Sequence, residues 1–109
     1  MEYNLSAVYD EERNIWCAQA EGEVDIFNSN AFRDGLLALL ADKQAGIVID
    51  CAELKYIDST GLGALVAVLK NVKAFGGDIT LRSLKPSLAK LFKITSLDKS
   101  FLMDGDLHE

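Results

Sequence analysis

The chain has 109 residues, half of them hydrophobic and about a quarter charged, with one Pro and eight Gly. That is enough apolar material for one compact domain, and it excludes collagen-like, low-complexity and disordered classes. Eleven Lys and Arg against seventeen Asp and Glu leave a net charge of −6, which argues against general nucleic-acid binding because phosphates are repelled. The charge is uneven: residues 1–50 hold ten acids and three bases, residues 51–109 seven acids and eight bases.

No apolar stretch approaches the roughly 18 uninterrupted residues of a membrane span. The opening MEYNLSAVYDEER carries acids where a signal peptide needs a basic start and an apolar run. A soluble cytoplasmic protein without membrane contact is expected. Cys17 and Cys51 sit in apolar runs with no CxxC pair and are expected to be small buried hydrophobes of a reducing compartment. His108 is the only histidine, so zinc ligands and His-dependent nucleophile arrangements are both missing. No metal, no cofactor and no enzyme activity are expected.

In chain order, residues 3–9 and 14–20 read as strands joined by a turn at Asp10–Arg13, and Gly22 breaks the pattern. Asp25, Asn28 and Ser29 supply helix-start chemistry. Phe32, Leu36, Leu39 and Leu40 then recur at helical spacing, so a helix is expected over 29–42. GIVIDC (46–51) reads as a buried central strand, and AELKYIDST as a loop. The spacing of Leu62, Leu65, Val66, Leu69 and Val72 predicts a second helix from about Ser59 to Phe75, closed by Gly76-Gly77. DITLRSL (78–84) reads as a strand, and Lys85-Pro86 opens a third helix carrying Leu88, Leu91 and Phe92. A turn at Thr95–Asp98 leads to a short edge element around Phe101–Met103, and the tail from about 104 to 109 is acidic. The expected fold is α/β, a mixed sheet with an antiparallel hairpin at one edge and helices mainly on one face.

Chemistry concentrates at Asp58-Ser59-Thr60-Gly61-Leu62-Gly63, where a helix starts just past a strand and its loop. Ser and Thr can cap first-turn amides there, Gly allows close approach, and the positive end of the helix dipole favours a phosphate. An ordinary capped helix with packing glycines has the same residue pattern.

The run IVIDCAELKYIDSTGLGALVAVLK resembles the signature of the STAS domain, the family of anti-sigma factor antagonists. EGEVDIFNSNAF is similar to the segment before that family's first helix, with Asp25 as its aspartate, and GGDITLRSLKPSLAKLFKITSLDKSF to its last strand and helix. The resemblance runs from about residue 3 to 103, within a single STAS domain expected over 1–109.

It implies a STAS-like sheet and a partner switch. The unmodified protein binds an anti-sigma factor with serine kinase activity and frees the sigma factor; phosphorylation at Ser59 abolishes binding, and a phosphoserine phosphatase resets it. Asp25, Asn28, Asp58, Ser59, Thr60 and Gly61 are the implied partner-binding residues, with Thr60 a less favoured acceptor. On this view Asp25→Asn weakens binding while the melting temperature stays within a few degrees.

Two alternatives remain open at this level. One is a STAS module controlling a target other than a sigma factor. The other is a receiver-type phospho-Asp domain, with Asp50 ending a strand, acids at Asp10-Glu11-Glu12 and Lys85-Pro86 after a later strand, although the opening hairpin fits it poorly. A nucleotide-binding enzyme is weaker, since Gly61 and Gly63 make only part of a dinucleotide fingerprint.

Overall fold

The computed structural model describes residues 2–104, so His108 and most of the acidic tail lie outside the described residues. The elements follow the order β1 (Tyr3–Asp10), β2 (Ile15–Val24), α1 (Ser29–Asp42), β3 (Gly46–Ile57), α2 (Ser59–Ala74), β4 (Ile79–Arg82) and α3 (Pro86–Ile94). A 3-10 turn (Leu97–Lys99) and β5 (Leu102–Asp104) complete it. The five strands lie side by side in sequence order, β1 antiparallel to β2 and every later pair parallel.

Alternation along the strands sorts side chains into two unlike faces. Trp16, Ala18 and Ala20 of β2, Ile47, Ile49 and Cys51 of β3, and Ile79 and Leu81 of β4 point to one face and are buried with Phe32, Leu36, Val68, Val72 and Phe92 of the helices. The other face carries Ser6, Val8, Cys17, Gln19, Val48, Asp50, Thr80 and Arg82, which line a broad open hollow of about 570 Å³. The helices therefore cover one face, as the sequence predicts.

On α2, Leu62, Leu65, Val68, Leu69 and Val72 are all buried. At about 1.5–3 kcal/mol for each such side chain, this stripe fixes the helix firmly to the sheet.

Several expectations need correction. β2 does not stop at Gly22 but runs on to Val24. Gly22 adopts φ +87°, where a Cβ would lie 2.3 Å from the Glu2 carbonyl oxygen, and the β2–β3 register shifts on its far side. Gly22 itself stays in register, opposite Tyr3 and Leu54, and the extra residue of the shift, Lys55, belongs to β3. The segment read as a loop after Cys51 is the second half of β3, which continues to Ile57 with Leu54 and Ile57 buried. The strand read over 78–84 is confined to Ile79–Arg82. Cys51 is buried and its thiol is pushed up to about 12 by desolvation. Cys17, expected to be buried, is only half-buried because it lies on the open face.

The receiver reading fails on topology. Asp50 stands in the middle of β3, and the Asp10–Glu12 turn meets that strand at its opposite, Gly46 end. Asp10 there pairs with Arg13 at 3.0 Å, which holds its carboxyl below the usual range.

Candidate functional site

Two loops meet where β2 and β3 end side by side. The Asp58 N–H donates to the Val24 carbonyl at 3.3 Å, tying the start of α2 to the end of β2. Because the two strands are parallel, both following helices begin on the same rim of the sheet.

On the first loop, Asp25 and Asn28 are buried, at 6% and 9% exposure. The Phe27 N–H donates to the Asp25 carboxylate at 2.9 Å and the Ser29 N–H to the Asp25 carbonyl at 2.8 Å. The Asn28 side chain accepts from the Asp25 N–H and donates to the Glu23 carbonyl, both at 2.9 Å. Asn28 occupies the position before α1 yet makes no side-chain cap to it. Its amide instead closes the loop on itself.

On the second loop the cap is Asp58, not Ser or Thr. Its carboxylate accepts the N–H groups of Thr60 at 3.0 Å and Gly61 at 3.1 Å, and the Thr60 hydroxyl at 2.5 Å. The Thr60 hydroxyl is the chief reason, with the two amides behind it, that the Asp58 carboxyl lies below its ordinary value. The carboxylate is ionised at neutral pH. It also occupies two first-turn amides that a nucleotide phosphate would need, so this helix start is not a vacant phosphate cradle.

The six residues singled out from the sequence are thus neighbours with distinct parts. Ser59 is exposed, and Asp58 and Thr60 are half-buried. Gly61 is buried, and a Cβ on it would sit 2.5 Å from Ile57 Cγ1 and 3.0 Å from Val24 Cγ1. Its visible part is close packing of α2 on the strand ends. Asp25, expected at the partner surface, is inside the loop that it braces. Sequence reasoning passed over Ile26 and Phe27, which are 68% and 89% exposed between those two buried polar residues. An apolar pair inside a run of turn and cap residues was the available signal.

The family model for the STAS domain matches residues 6–109. The chain belongs to the STAS domain family. Among curated STAS relatives, the anti-sigma-B factor antagonist of Bacillus subtilis (strain 168) is 34% identical over 94 residues, covering 86% of this chain and 85% of that protein. A Thermotoga maritima crystal structure described as a candidate anti-sigma factor antagonist shares the STAS fold with a TM-score of 0.82 at 21% identity, covering 94% of this chain and 86% of that one. The Bacillus cell fate determinant SpoIIAA in its phosphorylated form matches with a TM-score of 0.70 at 19% identity, covering 98% and 93%. The resemblance read from the sequence is borne out, as is the mixed α/β fold. No described helix is long and apolar enough to cross a membrane.

Proposed function

We propose that this STAS domain, spanning the whole chain, is an anti-sigma factor antagonist that works as a partner switch in the cytoplasm. The unmodified form binds an anti-sigma factor with serine kinase activity and so frees the sigma factor. Phosphorylation of Ser59 ends the binding, and a phosphoserine phosphatase restores it. The domain performs no catalysis of its own.

The observation that carries this reading is the contrast within the Asp58–Gly61 motif. Ser59 is exposed on the first turn of a helix whose remaining hydroxyl and amides are engaged by Asp58. The naming of the Bacillus subtilis relative supports the choice of partner. A phosphate adds roughly −1.5 to −2 charge beside the ionised Asp58. A docked kinase must bring nucleotide phosphates to Ser59, so a phosphoserine there faces like charge across the interface. The helix itself needs no rearrangement.

The test is affinity capture of the chain with its partners, followed by ATP and phosphopeptide mapping. An anti-sigma factor should accompany the wild-type protein and Ser59→Ala, and be lost from Ser59→Asp. ATP should place phosphate on Ser59. Ser59→Asp should keep native amide shifts except near residues 25–28 and 57–63. Capture of a target unrelated to sigma control, with no anti-sigma factor, would move the chain to the alternative reading of a STAS module with another client.

A further inference from the structure

Ile26 and Phe27 stand in water although the polar residues on either side of them are buried. A slack loop would turn such side chains inward, because each exposed apolar group is unfavourable. Here the turn is held. The Phe27 N–H is bound to the Asp25 carboxylate, and the Asn28 side chain is bonded at both ends. The loop thus buries its polar groups and displays its apolar ones, an inversion that is offset only when something covers the display.

Its surroundings say what kind of surface that is. Ile26 borders a hollow of about 290 Å³ with Asn30 and Arg33 of α1 and Thr60, Gly63 and Ala64 of α2, so Ile26 is continuous with the helix turn that carries Ser59, and Phe27 follows it in the chain. The hollow is open and shallow, with room for a side chain of a docked protein. The half-buried Glu23 and Asp58 flank the loop, and Arg33 is already paired with Asp34 at 3.1 Å. The patch is apolar at its centre and acidic at its margin.

We infer that Ile26 and Phe27 are the anchor by which the anti-sigma factor docks, seated in an apolar depression of that partner whose margin carries lysine or arginine opposite Glu23. This rests on the partner-switch reading above and adds where the binding energy is concentrated. Asp25 and Asn28 act as positioning residues, presenting the anchor without touching the partner. Large apolar side chains desolvated at the centre of an interface dominate binding, while the charged margin tunes association rate and salt sensitivity.

The experiment uses the full chain and the purified anti-sigma factor that it captures. Phe27→Ser should weaken binding by about 30-fold or more, chiefly through faster dissociation. Its melting temperature should match wild type, because the side chain touches little and the backbone bond to Asp25 is kept. Phosphorylation of Ser59 should show a raised KM with kcat unchanged, the mark of an anchor remote from the transferred phosphate. Ile26→Ser should weaken binding in the same sense and carries the test if Phe27→Ser melts low. Binding of both variants within threefold of wild type, or a fall in kcat at unchanged affinity, overturns the anchor and leaves the partner switch standing. Failure of the wild-type chain to bind any anti-sigma factor removes the partner switch and the anchor with it.

Discussion

The Thr60 hydroxyl donates to the Asp58 carboxylate at 2.5 Å, so the two hydroxyls of the Asp58–Gly61 motif are not equivalent. Thr60 is tied into the helix cap; Ser59, one residue earlier, is exposed.

That difference favours Ser59 as the acceptor of the proposed phosphorylation. Incubation with the anti-sigma factor kinase and ATP should place the phosphate on Ser59, with Thr60 unmodified by phosphopeptide mapping. Ser59→Ala should abolish labelling, and Thr60→Val should retain it. Labelling of Thr60 alone would refute the assignment.

Asp58 gives the cap a defined pH dependence. Its folded carboxyl lies below the ordinary 3.8, so the ionised form stabilises the folded state above that value. The contribution is lost as pH falls through the depressed folded value. Thr60→Val removes the largest cause of the depression, and the Asp58 carboxyl should then titrate closer to 3.8 by carbon NMR. An unchanged titration would show that the hydroxyl is not what holds it down.

Gly61 and Gly63 should respond in opposite directions. A Cβ at Gly61 meets Ile57 at 2.5 Å, so Gly61→Ala should destabilise by about 1–3 kcal/mol through overpacking. A Cβ at Gly63 meets nothing within 4 Å, and Gly63→Ala should stabilise by about 0.4–1 kcal/mol by stiffening the unfolded chain. Thermal melting separates them, at about 4–8 °C per kcal/mol for a domain of this size. Equal shifts would contradict the packing assigned to Gly61.

Asp25 should behave as a brace. Asp25→Ala removes the acceptor of the Phe27 N–H and should cost about 1–3 kcal/mol, lowering the melting temperature by several degrees. Asp25→Asn keeps an oxygen there and should melt within a few degrees of wild type. An Asp25→Ala variant as stable as wild type would mean that the loop does not depend on this bond.

Much of this architecture was legible because apolar periodicity is strong where one side of an element is buried. The Leu62–Val72 stripe, the 46–51 run and the opening hairpin are cases where local pattern and tertiary burial coincide. The second half of β3 was not legible: Glu53, Lys55 and Tyr56 are exposed there, so only Leu54 and Ile57 mark it as a strand. β2 was cut short at Gly22 because a glycine that ends a strand and one held within it by close approach of a neighbouring backbone look alike in sequence. At the site, the motif and its helix start could be read directly. The burial of Asp25 and Asn28 could not, since both are ordinary turn formers and their interior position arises only when two strand ends are brought together. The exposure of Ile26 and Phe27 follows from that same closure.

The helix layer lies on one side of the sheet, and α2 supplies seven of its own residues to the single interior that results. Displacing α2 to signal release would therefore mean exposing the interior of the whole domain. A regulator built this way can be written on and erased at its surface while its framework stays still. Under the proposed partner switch, turnover between states would be governed by how often a kinase and a phosphatase encounter Ser59, with no folding step to wait for, and a population of such molecules would track the ratio of those enzymes as quickly as it changes.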